Sequence, residues 1–377
     1  MSMVLTNARI VTRDEVFLGT VSVKDGRIAA LSRDSTIIPG ALDCDGDYLL
    51  PGLVELHTDN LEKHVTPRPK VRWNIGAAVM AHDAQMATAG IVTVFDSLSC
   101  GDIIEGSARL ANLTAMVEGV TQAQQSGHLR AEHRLHLRCE VSSANMVSLF
   151  GAFADHPLVG IVSLMDHTPG QRQFMREDKY REYYMGKYHF SPAEMADFTL
   201  RQQENAARYS DIHRSEIAAM CRARGLTLAS HDDATIGHVA EALALGVHFS
   251  EFPTTVAAAQ TAHDAGIRVL MGAPNLVRGG SHSGNVAAAE LAQAGILDVL
   301  SSDYVPVSLL HGAFILSREA LDLPAAIATV SAVPAEVVGL NDRGEIALGR
   351  RADLVRVHDS GELPVVRAVW REGRRVA

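Results

Sequence analysis

LTLASHDDATIGHVAEALALGVHFSEFPTTVAAAQTAHDAGIRVLMGA, residues 226 to 273, runs through one pattern again and again. Short apolar runs (LTLASHD, VHFSEF, RVLMGA) are separated by Ala-rich stretches of helical composition (TIGHVAEALALG, TVAAAQTAHDAG). Strands that alternate with helices in this way build parallel sheets. Toward the C-terminus the pattern adds ILDVLSSDY (296–304). Toward the N-terminus it adds YLLPGLVELH (48–57), IVTVFDS (91–97), LHLRCE (135–140) and VGIVSLMDH (159–167). Eight such strands predict an α/β fold of the (β/α)8 TIM-barrel type over residues 51–339. A doubly wound open sheet would share the alternation, but no strand–helix junction carries the GxGxxG that would favour it.

The two ends read differently. VLTNARIVT, FLGTVSVKDG, RIAALS and DCDGDYLL follow one another with turns at Gly and Asp, and residues 340–377 are of the same strand-rich kind. Residues 1–50 and 340–377 are therefore expected to form one small β-sandwich domain assembled from both termini. Two segments exceed what a barrel crossover needs, 57–75 and 168–225, and long loops in such a fold tend to carry function.

Bulk properties narrow the classes. A formal net charge of −10 opposes a general nucleic-acid binder, which needs a basic face, yet leaves room for a small anionic substrate held by a few cations. Four cysteines (Cys44, Cys100, Cys139, Cys221) without CxxC spacing suggest neither a disulfide framework nor a thiolate zinc site, and fit a reducing compartment. The opening MSMVLTNARIVTRDE lacks the apolar core of a signal peptide, and no apolar run reaches membrane-spanning length. The expectation is a cytoplasmic protein with no membrane partner.

The chemistry gathers at strand ends. His57 and Asp59 follow the first barrel strand, Glu140 ends the third, His167 follows the fourth, His231 the fifth, Glu251 the sixth and Asp303 the eighth. Taken singly, each has a plain reading. An Asp after a strand often caps the next helix, which applies to Asp59, Asp232 and Asp303, and Glu251 could simply face an Arg. Taken together, they fall at equivalent positions of successive strands, on the face where this fold places its active site. Imidazole and carboxylate suit zinc, manganese or iron, and such a set would hold one or two divalent ions with a position open for water. Glu251 is expected to stand behind the others.

Cations cluster in the long segments. Four of the five lysines (Lys63, Lys70, Lys179, Lys187) lie there beside Arg68, Arg72, Arg172, Arg176 and Arg181, as do Tyr180, Tyr183, Tyr184 and Tyr188. APNLVRGGSHSGN (273–285) adds Arg278, His282 and glycines whose N–H groups could approach an anion. Lys63, Arg68, Lys70, Arg72, Arg172, Lys179, Tyr180, Arg278 and His282 are thus the candidate contacts for a polyphosphate or similar anion, although any one exposed Arg could be merely solvated.

PGLVELHTD resembles the first strand of the amidohydrolase superfamily, with His57-Thr58-Asp59 in place of its usual His-x-His, and GRRADLV resembles its closing sheet motif. Further along, ELHTDNLEKHVTPRPKVRW, AEHRLHLRCE, VSLMDHTPGQRQF, YREYYMGKY, LASHDDAT, EFPTT, MGAPNLVRGGSHSGN and LSSDY together resemble the PhnM-type proteins of the carbon–phosphorus lyase pathway. The resemblance covers nearly the whole chain. It implies metal-dependent hydrolysis of α-D-ribose 1-methylphosphonate 5-triphosphate to the 5-phosphate and pyrophosphate. IVSLMDH supplies no lysine of the kind that bridges two metals in many dimetal barrel hydrolases, so Glu140 is the candidate bridge if two ions are present. Metal ligands would be His57, Asp59, Glu140, His167, His231 and Asp303, with Asp303 also orienting water and accepting its proton. Homodimers are common for such barrels. Two rivals share the metal site or the fold: a cyclic-amide amidohydrolase of dihydroorotase or allantoinase type, and a non-catalytic scaffold, whose signature would be lost ligands.

Overall fold

The computed structural model describes residues 2–68, 71–101, 109–172, 177–281 and 284–377. The N-terminal strands are β1 (Ser2–Val11), β2 (Val16–Lys24), β3 (Arg27–Ser32), β4 (Leu42–Asp43) and β5 (Tyr48–Pro51). Eight follow in alternation with helices: β6 (Leu53–Thr58), β7 (Ile91–Cys100), β8 (Glu132–Glu140), β9 (Val159–Met165), β10 (Thr227–His231), β11 (Phe249–Glu251), β12 (Arg268–Gly272) and β13 (Val299–Ser301). The chain closes with β14 (Leu354–Asp359), β15 (Pro364–Arg371) and β16 (Arg374–Arg375).

β6 to β13 line up in chain order in one sheet, and a parallel bridge between Thr58 and Asp303 brings the end of the series back to its start. All eight strands read from the sequence are present, and the arrangement is that of a (β/α)8 barrel. β6 and β10 are buried at every position, as expected of parallel strands covered on both faces. Gly52, between β5 and β6, explains the Pro-Gly of the first motif. A Cβ there would lie 2.3 Å from Val92 Cγ2 and 2.9 Å from Asp353 Cβ, so only glycine lets these segments approach.

Contrary to the expectation of long loops, much of 168–225 is helical. The helix Pro192–Arg224 opens on a capping box, Ser191 with Glu194, and stops at Gly225 in the left-handed conformation. Its interior is rich in Ala, Arg, Gln and Glu, residues that lose little on entering a helix. A shorter helix, Glu177–Tyr188, precedes it. In the other long segment, Asn60–Val65 is helical.

Two compact units make up the chain: Met1–Asp96 with Glu118–Arg134 and Met271–Ala377, and Ser97–Val117 with Leu135–Leu270. In the first unit the two termini join as one hydrogen-bonded sheet, in the order β16-β15-β14-β5-β1-β2-β3 with β4 beside β1. The junction is antiparallel pairing of β5 with β14, from Leu354 opposite Pro51 to Val357 opposite Tyr48. Leu5, Ile10, Val21, Leu49, Leu354 and Trp370 are buried in its core. Asp47 reinforces the junction through Arg356 Nε (2.6 Å) and His358 Nδ1 (2.9 Å).

The same unit holds a polar core that sequence reading did not pick out. The Asp96 carboxylate, fully buried, bridges His82 Nε2 at 2.6 Å and His133 Nδ1 at 2.8 Å. His133 Nε2 lies 3.4 Å from Asp83 Oδ1, and Asp83 also accepts from the backbone N–H groups of Arg130 and Ala131. Burial pulls His133 down, but Asp96 and Asp83 outweigh it and carry the imidazole up to about 9. Burial, helped by repulsion from His133 and His64, leaves His82 below its ordinary value despite Asp96. The two histidines that share Asp96 are thus shifted in opposite directions.

The four cysteines are free and buried, and among the described residues no helix is long and apolar enough to cross a membrane.

Because His133 binds its proton more tightly folded than unfolded, its contribution is fully present below about pH 6.5 and disappears as pH rises through about 9. Urea unfolding of the wild type should show stability falling over this window by an amount on the order of 3 kcal/mol. In His133→Gln, already destabilised at pH 7, that slope should be missing. An unchanged slope would mean that the Asp96 pair does not hold the proton.

Candidate metal centre

In the second unit, Glu140, His167, His231 and Glu251 converge with Asp232. Each imidazole is held from behind by a buried carboxylate. Glu140 Oε2 is 2.6 Å from His167 Nδ1, and Glu251 Oε2 is 3.0 Å from His231 Nδ1. Glu140 Oε1 also accepts from the His167 backbone N–H (3.0 Å) and from Ser142 Oγ (2.9 Å). With Nδ1 occupied, both rings turn Nε2 toward Asp232, whose Oδ2 is 3.4 Å from His231 Nε2 and 4.0 Å from His167 Nε2. The three ligand atoms lie within 4.8 Å of one another. Two imidazoles and a carboxylate at that spacing match the donor set of zinc, manganese or iron, and a carboxylate behind each ring is the usual way a metal-binding histidine is oriented.

Glu251 is completely buried, with Oε2 on His231 Nδ1 and Oε1 3.6 Å from His136 Nε2. His136 is fixed by Ser97 Oγ (3.1 Å) and Ser163 Oγ (2.9 Å), so the support reaches across strand interiors. Burial pulls the His167 imidazole down, but Glu140 and Asp232 carry it above its ordinary value; burial pushes Asp232 up to about 6.

Helix capping is the plain reading that the sequence offers for Asp232. The helix Ile236–Leu245 is capped by Thr235 instead, whose hydroxyl accepts from His238 N. The available signal was the spacing, since Asp232 lies too far ahead of the helix to cap it.

In the first unit, His57 and Asp303 are joined through the backbone. Asp303 N donates to the His57 carbonyl (3.1 Å), Ser301 Oγ to the same oxygen (2.5 Å), and Thr58 Oγ1 to the Asp303 carbonyl (2.7 Å). Glu55, not singled out from the sequence, is fully buried and accepts from the backbone N–H groups of His57 (2.7 Å) and Ser302 (2.6 Å). Burial drives its carboxyl up to about 7. Asp59 sits at the N-cap of Asn60–Val65 but makes no capping hydrogen bond, and its Oδ1 is buried with no hydrogen-bond partner. The capping explanation for this residue fails. An orphaned buried carboxylate oxygen is what a missing cation would leave.

The expected phosphate contacts separate into groups. Lys63, Arg68, Arg72 and Arg278 are exposed; Lys63 Nζ donates to the Tyr304 carbonyl, next to Asp303, with its nitrogen 5.1 Å from the Tyr304 ring centroid. Lys70 and His282 lie outside the described residues, as does the side chain of Lys179. Two expectations need correcting. Arg172 is buried, ion-paired with Asp233 and with Glu241 (2.9 Å), and donates to the His231 carbonyl (3.2 Å). Its charge is neutralised by adjacent acids, so it braces the His231 segment. Tyr180 is completely buried against Tyr184, Met195 and Phe198.

Residues 167–377 match the amidohydrolase family. The α-D-ribose 1-methylphosphonate 5-triphosphate diphosphatase of Escherichia coli (strain K12) is 50% identical over 377 residues, covering 99% of this chain and all of the relative. Among solved structures, an amidohydrolase superposes with a TM-score of 0.65 at 14% identity, over 100% of this chain and 98% of the other. The N-isopropylammelide isopropylaminohydrolase of Burkholderia multivorans gives 0.63 at 16% identity, over 100% and 98%. These structural likenesses establish the fold. With half its residues shared along the full length of a diphosphatase and its C-terminal part matched to the family, the chain belongs to the amidohydrolase family.

Proposed function

We propose that this chain hydrolyses α-D-ribose 1-methylphosphonate 5-triphosphate to the 5-phosphate and pyrophosphate. The observation that carries this reading is its 50% identity, end to end, with the E. coli enzyme of that substrate. We assign His57, Asp59, His167, His231 and Asp303 to metal binding, with Glu140 behind His167, and add Asp232. The orphaned Asp59 oxygen and the carboxylate-braced imidazoles support that assignment. A divalent ion held there would supply Lewis acidity and lower the pKa of water. Zinc and manganese suit the donors, and iron does also.

The chain's own groups then have distinct tasks. Asp303, held in place by the His57 carbonyl and Thr58, orients the attacking water and accepts its proton. Water attacks the α-phosphorus in line with the departing pyrophosphate. Lys63, Arg68, Lys70, Arg72, Lys179, Arg278 and His282 hold the terminal phosphates and offset the charge that develops on the leaving group. The four free, buried thiols support a reducing, cytoplasmic setting.

Phosphorus NMR of the reaction should show pyrophosphate and the sugar 5-phosphate, with heavy oxygen from solvent appearing only in the sugar product. Label in pyrophosphate would move the attack to the β-phosphorus, and release of orthophosphate would end the diphosphatase reading. Arg278→Gln should lower kcat/KM by the equivalent of ~2–4 kcal/mol with metal content unchanged; a full-rate variant would remove Arg278 from the phosphate contacts. Glu251→Gln should weaken metal affinity roughly 10- to 100-fold, as loss of a partner behind a ligating histidine does. Chelator competition measures this, and an unaltered affinity would detach Glu251 from the centre.

A further inference from the structure

Asp59, whose Oδ1 is buried without a hydrogen-bond partner, sits between two side chains that are both fastened. On one side, Thr58 Oγ1 donates to the Asp303 carbonyl at 2.7 Å. On the other, Asn60 is buried at the start of the helix Asn60–Val65 and reaches the polar core of the first unit. Its Nδ2 donates to Gln85 Oε1 at 2.9 Å and lies 3.1 Å from His82 Nδ1. His64 Nε2 is 3.3 Å from the same nitrogen and 3.1 Å from Gln85 Oε1. A helix of six residues has little stability of its own, and Asp59 gives it no capping bond. The polar anchor of its first turn is therefore the Asn60 side chain. Nothing in the hydrolytic reading uses Asn60 or His82.

Atom types fix the direction of each bond. An ionised carboxylate only accepts, and an amide nitrogen only donates. Burial pushes the Asp96 carboxyl up, but His133 and His82 outweigh it and hold it well below its ordinary value, so it is ionised. His82 Nε2, 2.6 Å from Asp96 Oδ1, must then carry a hydrogen. His82 Nδ1 faces the Asn60 amide nitrogen, so it accepts. The ring is the neutral Nε2–H tautomer, in keeping with the downward pull of burial on it. A buried carboxylate thus orients an imidazole, the imidazole orients an amide, and the amide belongs to the residue after Asp59.

We propose that Asn60 and His82 are positioning residues for the metal centre: His82, oriented by Asp96, holds the Asn60 amide, and Asn60 fixes the turn that presents the Asp59 carboxylate. The proposal rests on the assignment of Asp59 as a metal ligand. Where a carboxylate oxygen has no partner of its own, the backbone does the aiming, and here the backbone is fixed by the side chains before and after it. Releasing Asn60 would let the Asp59 turn drift and weaken metal binding with every ligand still present.

Two substitutions separate the two ends of the imidazole. In His82→Asn the amide oxygen falls where Nδ1 was and can still accept from Asn60, while the contact with Asp96 is lost. In His82→Gln the amide nitrogen reaches Asp96, but no acceptor faces Asn60 at the Nδ1 position. Zinc affinity of the full-length protein, measured by chelator competition, should stay within about twofold of wild type in His82→Asn and fall roughly 10-fold in His82→Gln and in Asn60→Leu. A role confined to core stability predicts the reverse order, because Gln keeps a partner on the buried carboxylate. Asp59→Ala should also bind zinc weakly, and adding Asn60→Leu to it should cost nothing more, since Asn60 acts through Asp59. Imidazole nitrogen NMR of the zinc-loaded wild type, which requires no variant to fold, should show His82 as the Nε2–H tautomer. An Nδ1–H or doubly protonated His82, the reverse order of the two His82 variants, or additive losses in the double variant would each overturn the proposal. Full affinity in Asn60→Leu beside a weakened Asp59→Ala overturns it alone, whereas full affinity in Asp59→Ala removes Asp59 from the centre and the proposal with it.

Discussion

Each histidine of the convergent group in the second unit has its Nδ1 against a buried carboxylate, and most of what is distinctive here follows from that pairing. A carboxylate removed from water is costly unless something donates to it. Glu140 and Glu251 meet the requirement by taking an imidazole nitrogen each, which fixes the ring and directs Nε2 toward Asp232. The stability requirement and the ligand geometry are thus one arrangement. In the first unit the same constraint is met in two other ways. Asp96 spans two histidines, while Glu55 accepts from backbone N–H groups at the ends of two strands and pins them in register.

Backbone conformation adds a second layer. Asp232, Phe252 and Asp303 follow β10, β11 and β13 with φ of 55°, 54° and 51°, in the left-handed region that non-glycine residues avoid. Each nevertheless donates its N–H to a neighbouring strand: Asp232 to the Glu251 carbonyl, Phe252 to that of Leu270, Asp303 to that of His57. The ladder continues through the turn and holds the unusual conformation in place. A backbone held in this way fixes the direction in which each side chain leaves its strand end.

Arg172 and Tyr180 show how far local composition misleads. Both lie in a stretch crowded with cations and aromatics, which reads as a solvent-facing binding loop. Folding instead buries Tyr180 among Tyr184 and Phe198 and surrounds Arg172 with Asp233 and Glu241, a residue 69 positions away along the chain. The length of 168–225 was legible; its helices were legible only to someone who weighed the Ser-Pro-Ala-Glu start at 191–194 against the overall polarity.

By itself the sequence determined the eight alternating strands, the pairing of the two ends and the positions of histidine and carboxylate at strand ends. These are consequences of local periodicity, and periodicity is written in neighbouring residues. Only the tertiary structure decided that Asp232 joins the histidines, that Asp59 has a buried oxygen with no partner, and that Arg172 braces a carbonyl. Those outcomes depend on which groups arrive within about 3 Å of one another after folding. A hydrogen bond between residues 20 or 59 positions apart, such as Glu251 to His231 or Arg172 to His231, leaves no trace in the spacing of either one.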